Sequence, residues 1–145
     1  MYMKTKLTEQ VISKTCMATT ISSGRTSAEA SIAIDRLGYN TAFFVAQAFG
    51  ATGGTTITHN LYQTDVSTGA YTQVTSATVS GSISTTYTWT LVPSSVSTIA
   101  AEKCINLSGL KRFIKIYTTV TGAITASYAH SVAAILGDGV VEPAV

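Results

Sequence analysis

The segment Leu110–Asp138, LKRFIKIYTTVTGAITASYAHSVAAILGD, indicates the fold class of this chain more clearly than any other stretch. Its pattern predicts two β-strands joined by a short turn at Thr121–Gly122. Three basic residues lie in the first strand, and an apolar run, Val132–Leu136, lies in the second. The segment contains no recognisable catalytic motif. We therefore interpret it as a rigid hairpin with a charged edge, typical of a structural building block.

The composition favours strands throughout. The chain has 145 residues, the size of one domain with a single core. Apolar residues make up 46% of it and charged residues only 11%, against roughly a quarter charged in ordinary soluble domains. The sequence contains 25 threonines and 16 serines, so hydroxyls replace charges over much of the surface. Because the branched Cβ of threonine suits strands and is disfavoured in helices, this composition predicts an all-β protein.

Further strands are predicted by alternation of apolar and polar residues, or by a short apolar run. These segments are Ala28–Ile34, Thr41–Phe49, Thr56–Thr64, Tyr71–Val79, Thr85–Val92 and Lys103–Leu107. With the two strands above they make about eight short antiparallel strands, separated by glycine and serine turns. That number and spacing predict a jelly roll or β-sandwich.

The domain organisation follows from the same pattern. Residues 1–26 show no sustained period and are interpreted as an extended N-terminal arm with at most one short strand. Residues 27–139 form the predicted β-sandwich domain, and residues 140–145 form a C-terminal tail.

Several partners are disfavoured by charge and hydropathy. The net charge is +2 with no basic block, so no nucleic acid is expected as a partner. The apolar stretch Thr41–Gly54 is shorter than the roughly 20 residues of a membrane span, and no export signal is recognisable, so we expect a soluble, unexported protein without a membrane partner. Cys16 and Cys104 are expected to be free thiols.

No catalytic, cofactor or metal site is apparent. The two histidines, His59 and His130, lie in different predicted strands and are interpreted as surface or cross-strand side chains. Glycine-rich stretches do not match nucleotide-binding loops, and no nucleophile elbow occurs. The acids near predicted turns are interpreted as turn-stabilising side chains; they are Asp35, Asp65, Glu102 and Asp138. We therefore expect no enzyme and no cofactor.

Two groups of residues have both a structural and a functional interpretation. The aromatic residues Tyr62, Tyr71, Tyr87 and Trp89 are expected mainly to fill the core, although a sugar-binding face is the alternative. Lys111, Arg112 and Lys115 form the one local cationic cluster, with Lys111 and Lys115 on the same strand face. These three residues either protect an edge strand from unwanted pairing or form ion pairs with an acidic partner.

Several segments resemble phage capsid cement (decoration) proteins of the jelly-roll type. The resemblance covers Met1-Tyr2 with Leu7, Asn60–Asp65 followed by Gly69 and Tyr71, Gly109–Ile116, and Ala133–Gly137. Together these segments span most of the chain, although each is short. At Lys4 the sequence departs from the acidic residue expected soon after Met-Tyr.

The resemblance implies a virion protein on the outer capsid surface, assembled in the bacterial host cytoplasm. Its expected partner is the major capsid protein, and it is expected to act as a homotrimer that cements adjacent capsomers. The expected contact residues are Tyr2, Lys4 and Lys6 in the arm and Lys111, Arg112 and Lys115 in the basic strand. The alternatives are a phage tail, neck or fibre-associated protein, and a carbohydrate-binding β-sandwich that uses Tyr87 and Trp89.

Overall fold

The computed structural model describes residues 12–21, 29–49, 56–75, 87–92, 98–122 and 128–139. The described residues form ten strands: β1 (Ile12–Ile21), β2 (Glu29–Ala30), β3 (Ile34–Asp35), β4 (Tyr39–Phe49), β5 (Thr56–Thr64), β6 (Thr72–Gln73), β7 (Thr88–Leu91), β8 (Ile99–Asn106), β9 (Phe113–Thr121) and β10 (Tyr128–Gly139). The described residues form no helix that is long and apolar enough to span a membrane.

The strands form two sheets in which every pairing is antiparallel. The first sheet has the order β1-β10-β4-β8, and the second has the order β2-β9-β5-β6. In the second sheet β3 also pairs with β9, and β7 also pairs with β5. The predicted all-β sandwich is therefore confirmed.

The core lies between the sheets because alternate residues of the long strands point inward. The buried residues of β4 are Ala42, Phe44, Ala46 and Ala48. Along β5, buried residues such as Ile57 and Leu61 alternate with half-buried residues in the same way. The expectation that Tyr87 and Trp89 fill the core is confirmed, since both are buried, as is Leu91 on the same strand face. A period of two thus places one face of each strand in the core.

The predicted hairpin within Leu110–Asp138 is wrong. Both strands exist, but β9 belongs to the second sheet and β10 to the first, so they do not pair with each other. Instead β10 pairs with β1 and β4, while β9 pairs with β5. An alternating strand has one apolar face whichever sheet contains it, so the local pattern did not distinguish a hairpin from a crossing between sheets.

The alternation predicted for Ala28–Ile34 is interrupted. Ser31 is buried and Ile32 is 60% exposed, which is the reverse of the predicted faces. The Ser31 amide donates to the Ile116 carbonyl, and the Ile116 amide donates to the Ser31 hydroxyl. The hydroxyl replaces a backbone acceptor at this point, so a polar side chain is buried and two short strands, β2 and β3, form instead of one.

The segment predicted as an N-terminal arm contributes to the sandwich. Ile12–Ile21, which falls within residues 1–26, is a ten-residue strand paired with β10. The expected contact residues Tyr2, Lys4 and Lys6 lie outside the described residues, as does the predicted tail, residues 140–145.

Candidate functional site

The outward side of the first sheet is an exposed surface that carries few charges among the described residues. We call it the apolar face and define it by the outward side chains of β4, β10 and β8, which are Thr41, Phe43, Val45, Gln47, Phe49, Ala129, Ser131, Ala133, Ile135, Gly137, Ala100, Glu102, Cys104 and Asn106. Only one of these fourteen positions, Glu102, carries a charge. Such a surface favours contact with another macromolecule over contact with water.

The strand register places two apolar pairs of the apolar face next to each other. Phe43 is paired with Ile135, which is 37% exposed, and Val45 is paired with Ala133. Cross-strand neighbours lie about 5 Å apart, so these four side chains form one contiguous apolar patch. Phe49, which is 53% exposed, is paired with Ala129 at the other end of the strands, beyond the polar pair Gln47–Ser131. Contiguous apolar patches of several hundred Å² on soluble proteins mark interaction sites.

The outward side of the second sheet has a different chemistry. We call it the hydroxyl face and define it by Thr56, Thr58, Asn60, Tyr62, Gln73, Thr88, Thr90, Lys115, Tyr117, Thr119 and Thr121. Among these eleven residues only Lys115 is charged. At the β3 end of the same outward side, the exposed Asp35 is paired with Phe113 in the ladder and forms an ion pair with Arg112. The two outer surfaces of the sandwich are therefore chemically distinct, one apolar and one hydroxyl-bearing.

The three predicted cationic residues all have partners within the chain. Lys111 Nζ lies 2.9 Å from an Asp65 carboxylate oxygen, and Lys115 Nζ lies 4.5 Å from the centre of the Tyr71 ring. Lys111 precedes β9 instead of sharing a strand face with Lys115. The edge-protection interpretation is wrong, because β9 lies inside the second sheet between β2 and β5.

Arg112 belongs to an exposed loop cluster. Its guanidinium donates to both carboxylate oxygens of Asp35, with a shortest distance of 2.7 Å. This hydrogen bond holds the pKa of Asp35 below its ordinary value. Arg36 donates to the carbonyls of Leu110 and Lys111. These contacts connect the β3–β4 turn to the loop before β9, and a role for Lys111, Arg112 and Lys115 in contacting a partner stays a prediction.

The two histidines, predicted to be surface or cross-strand side chains, are not at the surface. His59 in β5 is fully buried and His130 in β10 is 2% exposed. Their Nε2 atoms lie 2.9 Å apart, so one ring donates a hydrogen bond to the other across the interface between the sheets. Trp89 stacks on His59, with ring centroids 5.2 Å apart. In the sequence each histidine is a single residue within a strand of alternating pattern, and nothing there indicates that the two meet.

Burial controls the electrostatics of this histidine pair. Desolvation lowers the pKa of both His59 and His130 to about 4, and the charge of His130 lowers the pKa of His59 further. The Nδ1 atom of each ring has no hydrogen-bond partner among the described residues. Within that part of the chain, no group of three or more histidine, cysteine or acidic residues is arranged to hold a metal ion. The pair therefore acts as a neutral link between the sheets.

The predicted aromatic residues divide into two groups. Tyr87 and Trp89 are 4% and 7% exposed, so the carbohydrate-binding alternative that relied on them is not supported by their positions. Tyr62 and Tyr71 are only half-buried and lie on the outer side of the second sheet. Cys104 is an exposed free thiol, as expected, and lies on the apolar face.

Comparisons with known proteins identify similar folds but no family. No protein-family model matches the chain, and no curated protein matches it. The VP2 subviral particle of infectious bursal disease virus aligns with a TM-score of 0.54 and 10% identity over 90% of this chain and 32% of that chain. The exported protein XepA of PBSX aligns with a TM-score of 0.52 and 13% identity over 92% of this chain and 39% of that chain.

A third similar structure matches over nearly its whole length. The N-terminal cellulose-binding domain of Cellulomonas fimi β-1,4-glucanase C aligns with a TM-score of 0.52 and 10% identity over 93% of this chain and 91% of that chain. The chain spans only about a third of the VP2 and XepA chains. At these identities the likenesses show a shared β-sandwich fold.

Proposed function

We propose that this chain is a virion structural protein that binds the outer surface of an icosahedral phage head and cements adjacent capsomers. In this proposal its partner is the major capsid protein, it acts as a homotrimer, and it stabilises the expanded shell. It is non-enzymatic and uses no cofactor. The observation that carries the proposal is the apolar face, which has one charge among fourteen outward positions.

The size of the apolar face supports a shared interface. With strands about 4.8 Å apart and residues about 3.4 Å apart, three strands of nine residues cover roughly 440 Å². A standard interface buries about 800 Å² on each partner. The apolar face therefore supplies roughly half of a stable contact, and a second segment or several copies must supply the rest. A trimer that contacts several capsomers gains that remainder through multivalency.

The surface chemistry and the fold of the chain are consistent with a subunit of a larger assembly. A surface with few charges protects a free monomer poorly against self-association, which is tolerable for a subunit that stays assembled. The sandwich resembles that of VP2, which forms a viral particle, and that of a PBSX exported protein. These likenesses concern the fold, and they support a structural role without identifying the partner.

Placing a charge on the apolar face is expected to abolish head binding. Ile135→Glu adds a carboxylate at a 37% exposed position, so the fold is expected to tolerate it. Burying that charge without a partner costs several kcal/mol, and we expect binding to purified expanded heads to weaken by at least about tenfold. Co-sedimentation of the protein with heads measures this loss.

The matched control is Thr90→Glu, which adds the same charge at an exposed position on the hydroxyl face. It is expected to bind heads as the parent does. Equal binding by both variants would show that the apolar face is not the contact surface. Electron microscopy of labelled particles tests location separately: a regular coat on the head supports the proposal, whereas label confined to the neck or tail supports a tail, neck or fibre-associated protein.

Removing the segment before β1 is also expected to weaken head binding. Deletion of residues 1–11 removes Tyr2, Lys4 and Lys6 but leaves the whole of β1, which begins at Ile12. Because the apolar face alone is smaller than a standard interface, we expect a loss of at least about tenfold in affinity with little change in melting temperature. Head co-sedimentation and thermal unfolding measure the two effects; unchanged binding would contradict the assignment of these residues.

A further inference from the structure

We propose that the hydroxyl face binds a neutral polysaccharide, with Tyr62 and Tyr117 as the stacking residues. The proposal goes beyond the cementing role, because this face lies on the opposite side of the sandwich from the apolar face. A head-bound copy that uses the apolar face therefore leaves the hydroxyl face exposed. The ligand class follows from the side chains that the second sheet presents.

The two tyrosines form an aromatic platform on the outside of the second sheet. Tyr62 projects from β5 and Tyr117 from β9, and their ring centroids lie 4.3 Å apart with planes inclined at 42°. Both side chains are half-buried. They are diagonal neighbours, since Tyr62 is paired with Lys115 while Tyr117 is paired with Asn60. Tyrosine combines a rigid apolar ring with a polar hydroxyl, which suits ligands that present apolar C–H surfaces between hydroxyl groups.

An oriented amide lies next to the platform. Asn60 Oδ1 accepts hydrogen bonds from Gln73 Nε2 at 3.1 Å and from the Thr88 hydroxyl at 2.9 Å. Because its oxygen has two partners, the amide is held in one orientation beside the tyrosines. A side chain that is already ordered can contact a ligand hydroxyl with little further cost in side-chain ordering.

The charge of the hydroxyl face selects among ligand classes. Lys115 is the only charged residue among the eleven that define it, and its ammonium group lies over the Tyr71 ring. The nearby Asp35 and Arg112, beside Phe113, neutralise each other in an ion pair. A nucleic acid or a polyanion requires several basic side chains to neutralise phosphates or carboxylates. An extended peptide is bound chiefly through hydrogen bonds at a sheet edge, whereas these tyrosines lie on a sheet face. A neutral sugar chain matches both the near absence of charge and the mixture of hydroxyl, amide and tyrosine groups.

The dimensions of the hydroxyl face fit a chain-like ligand. Successive outward residues of a strand are about 6.8 Å apart, so the rows from Tyr62 to Thr56 extend over roughly 20 Å. That length accommodates several consecutive sugar rings, of which the tyrosines contact those at one end. Weak contacts repeated along a polymer are expected to give measurable binding through multivalency.

Affinity gel electrophoresis of the full chain tests the proposal with hydroxyethylcellulose, xylan and dextran as neutral probes and alginate as an anionic probe. The parent is expected to be retarded by at least one neutral probe, with no dependence on salt. Tyr117→Ala is expected to weaken that binding by at least about tenfold, while Tyr117→Phe, which retains the ring, keeps most of it. Asn60→Ala is a second variant that tests the amide without removing an aromatic ring.

The matched control is Phe43→Ala, which removes a half-buried aromatic ring from the apolar face. It is expected to retain polysaccharide binding and to lose head binding, whereas Tyr117→Ala shows the reverse. Loss of polysaccharide binding and loss of head binding can then be detected independently of each other. No retardation by any neutral probe, retardation by alginate alone, or equal effects of Tyr117→Ala and Phe43→Ala on polysaccharide binding would each overturn the proposal.

Discussion

Acidification from pH 7 to pH 5 is expected to destabilise the folded protein by about 4 kcal/mol, through His59 and His130. Each histidine is neutral when folded because burial lowers its pKa to about 4, whereas an unfolded histidine has a pKa of about 6.5. The unfolded chain therefore binds protons first as the pH falls. This stability is fully present above about pH 6.5 and is lost as the pH falls toward 4.

The size of the effect follows from the difference between the folded and unfolded pKa values. At pH 5 each histidine contributes about 2 kcal/mol of lost stability, which is a large part of the 5–15 kcal/mol of a typical domain. Asp35, whose pKa is lowered by Arg112, loses its contribution below about pH 4. The charge of Glu29 raises the pKa of His130, but this effect is smaller than the lowering caused by desolvation.

Urea unfolding measured at intervals from pH 7.5 to pH 4.5 tests this expectation. The control is the double variant His59→Leu, His130→Leu, which removes both titrating rings and both unpartnered Nδ1 atoms. Replacing both members of a buried polar pair by apolar groups is often nearly neutral at a pH where the pair is uncharged. The double variant is expected to show little change in unfolding free energy over this range. A parent that is equally stable at pH 7 and pH 5 would contradict the buried placement of the pair.

Truncation of Trp89 is expected to cost about 3–5 kcal/mol of stability. The side chain is 7% exposed and stacks between Phe44, at a centroid distance of 5.4 Å, and His59, at 5.2 Å. Trp89→Ala therefore leaves a cavity at the point where the two sheets meet. Thermal and urea unfolding measure the loss, and near-native stability of this variant would contradict the core position.

Two comparison variants separate packing from ligand binding. Trp89→Phe keeps an aromatic ring and removes an indole N–H that has no partner among the described residues, so its cost is expected to be well below that of Trp89→Ala. Tyr117→Ala truncates a half-buried ring on the hydroxyl face and is expected to cost about 1 kcal/mol. A large loss of stability at Trp89 with a small loss at Tyr117 is the pattern expected of one core residue and one surface residue.

Much of the secondary structure was predictable because β-strands leave a local signature. Thr56–Thr64 was predicted with the same bounds that the structure shows, and Thr41–Phe49 was predicted within two residues of β4. Each has a regular alternation or an apolar run bounded by turn residues. The short strands β2 and β3 were less predictable, because the Ser31 hydroxyl replaces a backbone partner and reverses the expected faces.

The candidate sites were less predictable than the strands. The outward residues of β4 and of β10 carry almost no charge. The alternation within each strand does not show that these two rows lie side by side, because their adjacency depends on the register between the strands. Tyr117 and Asn60 lie 57 positions apart in the sequence and meet only because β9 pairs with β5. The cationic cluster was visible in the sequence, but its partners come from distant segments, Asp35 from the end of β3 and Asp65 from the turn after β5.

The sequence by itself determined that this chain forms strands, which residues of most strands share a face, and that the surface carries few charges, because each of these depends on neighbours within a few residues. Only the tertiary structure decided that β9 and β10 belong to different sheets, that His59 meets His130 in the core, and that one outer face is apolar while the other carries tyrosines and threonines. Those features depend on which strands pair and in what register, and pairing is decided by contacts between residues far apart in the chain.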